Sequence, residues 1–199
     1  MPPSTCSIRY LVLAATSRRE QLVQAAVDYV FEYGVSDLSL RPLAEALGTS
    51  SRMLIHHFET KEQLLVEVLK AARARQYQTL DAWAAKGRTP PEIVRLYWRW
   101  ATAESSRPYM RLFFEVFGMA VQGRPGTQEV LPALSRESIG LLGNVARKSV
   151  SEAEAAELAR LAVATLRGLL FEWLCGDDLE LLTDALERFL AEVTHEQEG

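Results

Sequence analysis

The stretch LSLRPLAEALGTSSRMLIHHF, residues 38–58, has the apolar spacing of two short helices separated by a glycine. Gly48 stands where a sharp turn between the helices needs a positive φ. Thr49 or Ser50 follows it and is suited to cap a second helix. The pattern therefore predicts a helix-turn-helix layout. The first helix is apolar at i, i+3, i+4 and i+7, which makes one face: Leu40, Leu43, Ala44 and Leu47.

The second helix of this stretch has two unlike faces. Leu54 and Phe58 are spaced i and i+4 and are predicted to point inward. At 100° per residue, Arg52 and His56 lie about 200° around the axis from Leu54. The outward face, which Ser51 and Ile55 flank, suits the major groove of DNA, where arginine pairs with guanine and an apolar side chain meets a thymine methyl. The alternative is a helical hairpin whose outer face is only solvated.

The remaining chain is predicted to be helical, with about nine helices in all. Capping-box patterns begin three of them: SRRE at residue 17, TKEQ at residue 60 and SEAE at residue 151. Breaks are predicted at GRTPPE, QGRPGTQ and CGDD. SIRYLVL, residues 7–13, is the only run with strand character, but no partner strand is visible, so a mobile arm or an early extension of the first helix is favoured. We expect an all-α protein with an arm at residues 1–16, a helix-turn-helix domain at residues 17–63 and a helical domain at residues 64–199.

Composition sets limits on the function. The 199 residues are 48% hydrophobic and 24% charged, as in ordinary globular proteins, and no run of 18 apolar residues could span a membrane. The net charge is −4, so DNA binding would require a local patch rather than a basic domain. Cys6 and Cys175 match no metal spacing and are not expected to form a disulfide, which favours the cytoplasm.

Residues 17–70 resemble the DNA-binding domain of the tetracycline-repressor (TetR) family of bacterial regulators. The likeness covers about a quarter of the chain, and beyond it only length, helical content and two long final helices fit. It rests on Ala25, Ala26, Phe31 and Gly34, on LSLRPLAEALG, on Leu54, His57 and Phe58, and on KEQLL at residues 61–65.

The resemblance implies roles for further residues. Ser39 would cap the helix of Leu40 to Leu47, the second in the domain, and touch a phosphate. Lys61 would meet a phosphate at the start of the long fourth helix. Ile55 departs from the family, which usually has a tyrosine there that donates to a phosphate. One backbone contact is therefore expected to be missing. The expected DNA-binding set is Ser39, Arg41, Ser50, Ser51, Arg52, Met53, Ile55, His56, His57 and Lys61.

The central helices are rich in aromatic residues, most of which are expected in the core. Similar regulators keep a ligand cavity in this region, so a small apolar or aromatic effector is expected there. Arg95, Arg99, Arg111 and Glu115 are charged candidates for a ligand contact if any of them faces inward. The candidate ligand-binding residues are Trp83, Tyr97, Trp98, Trp100, Tyr109, Phe113, Phe114, Phe117 and Trp173.

The last two helices are rich in leucine and alanine. The resemblance implies a two-fold homodimer in which these helices form a four-helix bundle. The face expected to pair consists of Leu158, Leu161, Thr165, Gly168 and Leu169.

No catalytic set, cofactor site or metal site is expected. His56 and Glu59 are spaced i and i+3, but the order is the reverse of the di-iron motif and no second motif occurs. We expect a sequence-specific DNA-binding regulator, most simply a repressor that a small effector releases from a near-palindromic operator. Two alternatives are a helical binding or scaffold protein with a vestigial DNA-binding domain, favoured by Ile55, and an all-helical enzyme.

Overall fold

The computed structural model describes residues 17–34, 39–128 and 130–195, with the side chains at 75–81, 83, 84, 131 and 195 left out. Over these residues the protein contains nine α-helices and no strand, so the all-α prediction is confirmed. The predicted arm at residues 1–16, including SIRYLVL, lies outside the described residues. The helices are α1 (Arg18–Tyr33), α2 (Leu40–Ala46), α3 (Ser51–Phe58), α4 (Lys61–Ala85), α5 (Pro90–Ala101), α6 (Arg107–Val121), α7 (Val130–Ala146), α8 (Glu152–Cys175) and α9 (Leu179–His195).

Local signals in the sequence determine where the first helix begins and ends. The predicted capping box at the start of α1 is formed, because the Glu20 N–H donates to Ser17 Oγ at 3.2 Å and the Ser17 N–H donates to Glu20 Oε2 at 2.7 Å. Gly34 ends the helix with a φ of +79°, which glycine adopts without steric cost.

The connection from α3 to α4 is unusually short. Glu59 ends α3 with a φ of +63° and is the one non-glycine residue with a positive φ in the described part of the chain. Thr60 then accepts at its Oγ1 from the Gln63 N–H at 3.1 Å, as the TKEQ pattern predicts for a helix start. The direction of α3 is therefore fixed relative to the 25-residue helix α4.

Helices α1–α3 and the first turns of α4 form the head of the molecule. Each contributes side chains that are almost fully buried, so α2 and α3 are held against α1 and α4 by packing rather than by their own short length. The buried set includes Leu22, Ala26, Val27, Val30, Leu43, Ala44, Leu54, Phe58, Leu64 and Leu65.

The remainder of α4 and helices α5–α9 form the body. Helix α5 begins with prolines in its first turn, where a missing N–H costs nothing, and the Thr89 N–H donates to Glu92 Oε2 at 2.7 Å. Trp98 is buried and its indole N–H donates to Thr183 Oγ1 at 2.9 Å, which ties α5 to α9. In the described part of the chain, no helix is both long and apolar enough to cross a bilayer.

Candidate nucleic-acid interface

Helix α3 exposes the face that the sequence singles out. Leu54 and Phe58 are 0% and 1% exposed, whereas Met53 and Ile55 are 42% and 41% exposed. Arg52 and His56 are also exposed, so the predicted orientation of the helix is confirmed. A cation, an imidazole and an isoleucine methyl group thus lie on the solvent side of a helix whose other side is anchored in the core.

The N-terminus of α3 is capped by Ser50. The Met53 N–H donates to Ser50 Oγ at 3.2 Å, and the backbone of Ser50 is extended, as an N-cap requires. This settles the choice that the sequence left open between Thr49 and Ser50. Ser51, the first residue of the helix, is half-buried and stands beside the cap.

The Ser50 cap gives a first testable expectation. Replacing Ser50 with alanine should lower the free energy of unfolding by about 1 kcal/mol, because one N–H at the start of α3 loses its acceptor. Ser51→Ala is the matched control, and it should change stability by less than about 0.5 kcal/mol. Urea unfolding followed by circular dichroism measures both. Equal losses for the two variants would contradict the cap.

Ser39 was expected to cap α2 with its side chain, and it does not. It occupies the N-cap position with an extended backbone, but its side chain makes no capping hydrogen bond. The third residue of α2 is Pro42, which has no N–H to donate, and this removes one of the two usual donors for such a cap. The neighbouring Arg41 is exposed, and its Nε lies 3.4 Å from Glu45 Oε1.

Arg19 in α1 is a positioning residue that the sequence analysis missed. Its Nε donates to the carbonyl of His57 at 3.3 Å, and its guanidinium lies 5.0 Å from the centre of the Phe58 ring. Its Nη1 lies 3.2 Å from Glu67 Oε2 on α4. One arginine thus joins α1, the C-terminal end of α3 and α4. Its position in the first turn of α1 gave no sign of this, because the three contacts come from segments that are distant in sequence.

Lys61 begins α4 at the junction of head and body. Its side chain is half-buried rather than fully exposed. Burial raises the pKa of Glu115 on α6, and the charge of Lys61 acts on that pKa in the opposite direction. Lys61 is therefore close enough to α6 for its charge to act on a carboxyl group of the body.

The body contains a small cavity of ≈ 60 Å³ that is partly open to solvent. Of the predicted ligand-binding residues, Tyr97 and Phe113 line it. The wall is otherwise mostly aliphatic, with two arginines and a serine, and comes from α4 to α8. The lining residues are Arg73, Ile93, Val94, Tyr97, Phe113, Ser138, Leu141, Leu142, Val163, Leu166, Arg167 and Leu170.

The other predicted ligand-binding aromatics do not line this cavity. Trp100 lies against Tyr109 with ring centres 5.4 Å apart, and Trp173 lies under the guanidinium of Arg107 at 4.3 Å. Trp98 faces α9, as described above. Phe114 and Phe117 are partly buried beside the core. The side chain of Trp83 lies outside the described residues.

Of the charged candidates for ligand contacts, Arg95 is engaged away from the cavity. Its Nη2 lies 2.7 Å from Glu187 Oε2 on α9, and this guanidinium holds the pKa of Glu187 below its usual range. Arg99 and Arg111 are exposed to solvent. The cavity instead holds Arg73 and Arg167, which the sequence analysis did not single out.

The face expected to pair with a second copy is largely open on α8. Leu161 is 50% exposed and Gly168 is exposed, while Thr165 and Leu169 are half-buried. Leu158 lines a groove together with Phe189 of α9. All five predicted residues fall within an arc of about 100° on the helix.

Metal and thiol chemistry receive no support from the described residues. Among them, no group of three or more His, Cys, Asp or Glu side chains is placed to hold a metal ion. Cys175 is exposed and has a free thiol at the end of α8.

Comparison with known proteins places the head in a known family. The model of the bacterial regulatory proteins of the tetR family matches residues 22–68. The transcriptional repressor KstR2 of Mycolicibacterium smegmatis is 39% identical over 54 residues, which cover 27% of this chain and 26% of that protein. The regulator RutR of Escherichia coli is 29% identical over 103 residues, which cover 52% of this chain and 42% of that protein.

The shared fold extends beyond the head. The crystal structure of a transcriptional regulator from Rhodococcus sp. Rha1 superposes with a TM-score of 0.70 at 21% identity and covers 90% of this chain and 97% of that one. KstR2 and RutR are each matched over less than half of their own length. The structural likeness, at 21% identity, is one of fold.

Proposed function

The chain belongs to the tetR family of bacterial regulatory proteins through its head, and from this premise we propose that it is a sequence-specific DNA-binding transcriptional repressor. In this proposal a homodimer binds a near-palindromic operator, and a small effector bound in the body weakens that binding. The observation that carries the proposal is the exposed face of α3, with Arg52, Ile55 and His56 outward and Leu54 and Phe58 fully buried.

The roles on α3 follow from its two faces. Arg52 lies in the first turn, the part of a recognition helix that comes nearest the base edges, and can pair bidentately with guanine. Ile55, one turn further along, offers an apolar contact for a thymine methyl. Ser39, Arg41, Ser50 and Lys61 would contact phosphates around this helix, with Ser51, Met53, His56 and His57 at the groove or its rims.

The charge of the head favours specific over indiscriminate binding. Residues 1–70 hold seven Lys and Arg against eight Asp and Glu, a balance of −1. Non-specific affinity for DNA comes almost entirely from phosphate neutralisation, so a head without net positive charge gains little from random DNA. Affinity must then come from a few well-placed contacts on two heads acting together, which requires a dimer.

The placement of α4 provides a route from effector to DNA. This helix begins at Lys61, with only two residues between it and the end of α3, and carries Arg73 into the cavity of the body. An effector that favours another position of Arg73 would favour another position of α4, and with it of α3. Two heads that no longer match successive major grooves would lose the operator.

The test of the function is binding to DNA that flanks the protein's own coding region. Fluorescence anisotropy should show binding to one segment containing a near-palindrome, at least about 10³-fold tighter than binding to a scrambled duplex of the same composition. Equal affinity for both duplexes across a range of salt concentrations would exclude the function. It would favour a helical scaffold protein instead.

A further inference from the structure

The cavity of the body has a charge pattern that restricts what can bind there. Of the described residues that line the cavity, Arg73 and Arg167 carry a charge and none has a carboxylate. The rest of the wall is aliphatic or aromatic, apart from the hydroxyls of Tyr97 and Ser138. Two guanidinium groups at an apolar cavity favour an anion with an apolar body.

Arg73 is held in place by a network on α7. It is 7% exposed, its Nε lies 3.0 Å from Glu137 Oε2, and its Nη2 donates to Ser138 Oγ at 2.8 Å and to the Leu134 carbonyl at 3.1 Å. The side chain of Glu137 is 52% exposed, so that carboxylate reaches the buried guanidinium from solvent. A carboxylate that can leave for water at little cost is one that a ligand can replace.

Arg167 approaches the same part of α7 from α8. Its Nη1 donates to Ser135 Oγ at 3.0 Å, and its guanidinium lies 5.8 Å from the centre of the Phe113 ring. Ser135 and Ser138 are three residues apart, so their side chains are neighbours on one helix face. The two arginines therefore bond hydroxyl groups that lie about one turn apart on α7.

We propose that the effector is a small monocarboxylic acid with an aryl or alkyl group. Its carboxylate binds Arg167 and takes the place of Glu137 at Arg73, while its apolar part lies against Val94, Leu166 and Leu170. The inference rests on the proposed function, since it names the chemical class of the effector. It adds a carboxylate to the small apolar or aromatic effector that the sequence predicts.

The exchange of carboxylates supplies the differential contact that regulation needs. In the structure the Arg73–Glu137 pair is the ionic contact among several polar contacts that join Arg73 of α4 to α7. With the effector bound, the effector's carboxylate connects α4 to α8 and Glu137 turns to solvent. The helix that leads directly to α3 thus exchanges an ionic contact with α7 for one with α8. A ligand of equal affinity for both states could not shift the equilibrium between them.

Calorimetric titration of the 199-residue protein tests the carboxylate directly. The probes are benzoate, 4-phenylbutyrate and octanoate, each compared with its primary amide, which has nearly the same shape but no charge. At least one acid should bind about tenfold or more tightly than its amide, because a hydrogen-bonded charge pair is lost in the amide.

Two variants and one matched control locate the site. Arg167→Gln should weaken acid binding by about tenfold and leave amide binding unchanged. Glu137→Gln should strengthen acid binding several-fold, because the carboxylate that competes with the acid at Arg73 Nε is gone. Glu187→Gln removes a similarly exposed glutamate that pairs with Arg95 outside the cavity, and it should bind as the unaltered protein does. Neither test variant replaces the buried Arg73, whose loss could unfold the protein.

The outcomes separate this inference from the proposed function. Equal binding of acid and amide, an unchanged Arg167→Gln variant, or no acid bound at up to about 10 mM would overturn the effector class. Operator binding without a probe is measured on the same samples. A protein that binds its operator but no acid keeps its function and loses this effector, whereas one that binds acids but no operator keeps the site and loses the function.

Discussion

Replacing Gly168 with glutamate is expected to turn a dimer into a monomer and to weaken operator binding by about 10²–10⁴-fold. A dimer engages both half-sites of a palindrome, so binding of its second head is intramolecular and gains from a high effective concentration. A monomer loses that advantage although each head keeps every contact. The expected change is the largest that any single substitution in the body should produce.

Gly168 is suited to this test because the substitution should not harm the single chain. A Cβ added there would meet no heavy atom within 4 Å, and the residue is exposed in the middle of α8. Replacing a glycine within a helix also removes an entropic cost of about 0.5–1 kcal/mol. In a dimer the same side chain would place a charge where two helices approach closely. Leu169→Asp would be less clear, since Leu169 is half-buried in its own chain.

The matched control is Gly140→Glu on α7, where an added Cβ likewise meets no atom within 4 Å. Analytical ultracentrifugation at micromolar concentration should give a dimer for the unaltered protein and for the control, and a monomer for Gly168→Glu. Thermal unfolding checks that both variants are folded. A dimeric Gly168→Glu protein would show that this face of α8 is not the interface, and a monomeric unaltered protein would exclude the homodimer.

Replacing Arg52 with alanine is expected to cost about 1–3 kcal/mol in operator binding and to relax the preference at one base pair of each half-site. The side chain is exposed in the first turn of α3, and the cap that shapes this turn is made by Ser50 and not by Arg52. The substitution should therefore remove a base contact without altering the helix. Stability should change by less than about 0.5 kcal/mol.

Lys61→Ala should behave differently from Arg52→Ala. A phosphate contact carries no sequence information, so its loss should weaken operator and scrambled DNA alike and reduce the salt slope by about one unit per contact. Arg99→Ala, which removes one exposed positive charge from α5, is the control for net charge and should leave both affinities unchanged. Anisotropy titrations on operator, scrambled duplex and single-base variants at several salt concentrations provide the measurement.

The results on the two DNAs decide the roles. Equal losses on operator and scrambled duplex for Arg52→Ala would make Arg52 a phosphate contact. A loss confined to the operator for Lys61→Ala would mean that α4 comes nearer the bases than proposed. No loss for either variant would mean that the outer face of α3 is only solvated.

The sequence alone determined the local features of this protein. Helix starts at Ser17, Ser50 and Thr60 follow from side chains that reach N–H groups three residues away, so nearby residues suffice to predict them. The turn at Gly48 has a φ of +61° for the same local reason. The outward face of α3 follows from helical periodicity, because burying Leu54 and Phe58 leaves Arg52 no inward position.

Tertiary structure decided which side chains meet across the chain. Arg19 contacts residues 38 and 48 positions away, and Arg73 and Glu137 are 64 positions apart. The aromatic pattern indicated helices that border the cavity, but most of the aromatic residues do not line it. Trp98 donates its indole N–H to Thr183 of α9, and Trp173 packs against the guanidinium of Arg107. Periodicity tells which side of a helix is buried, but which neighbour that side meets depends on how five helices cross, and only packing in three dimensions determines this.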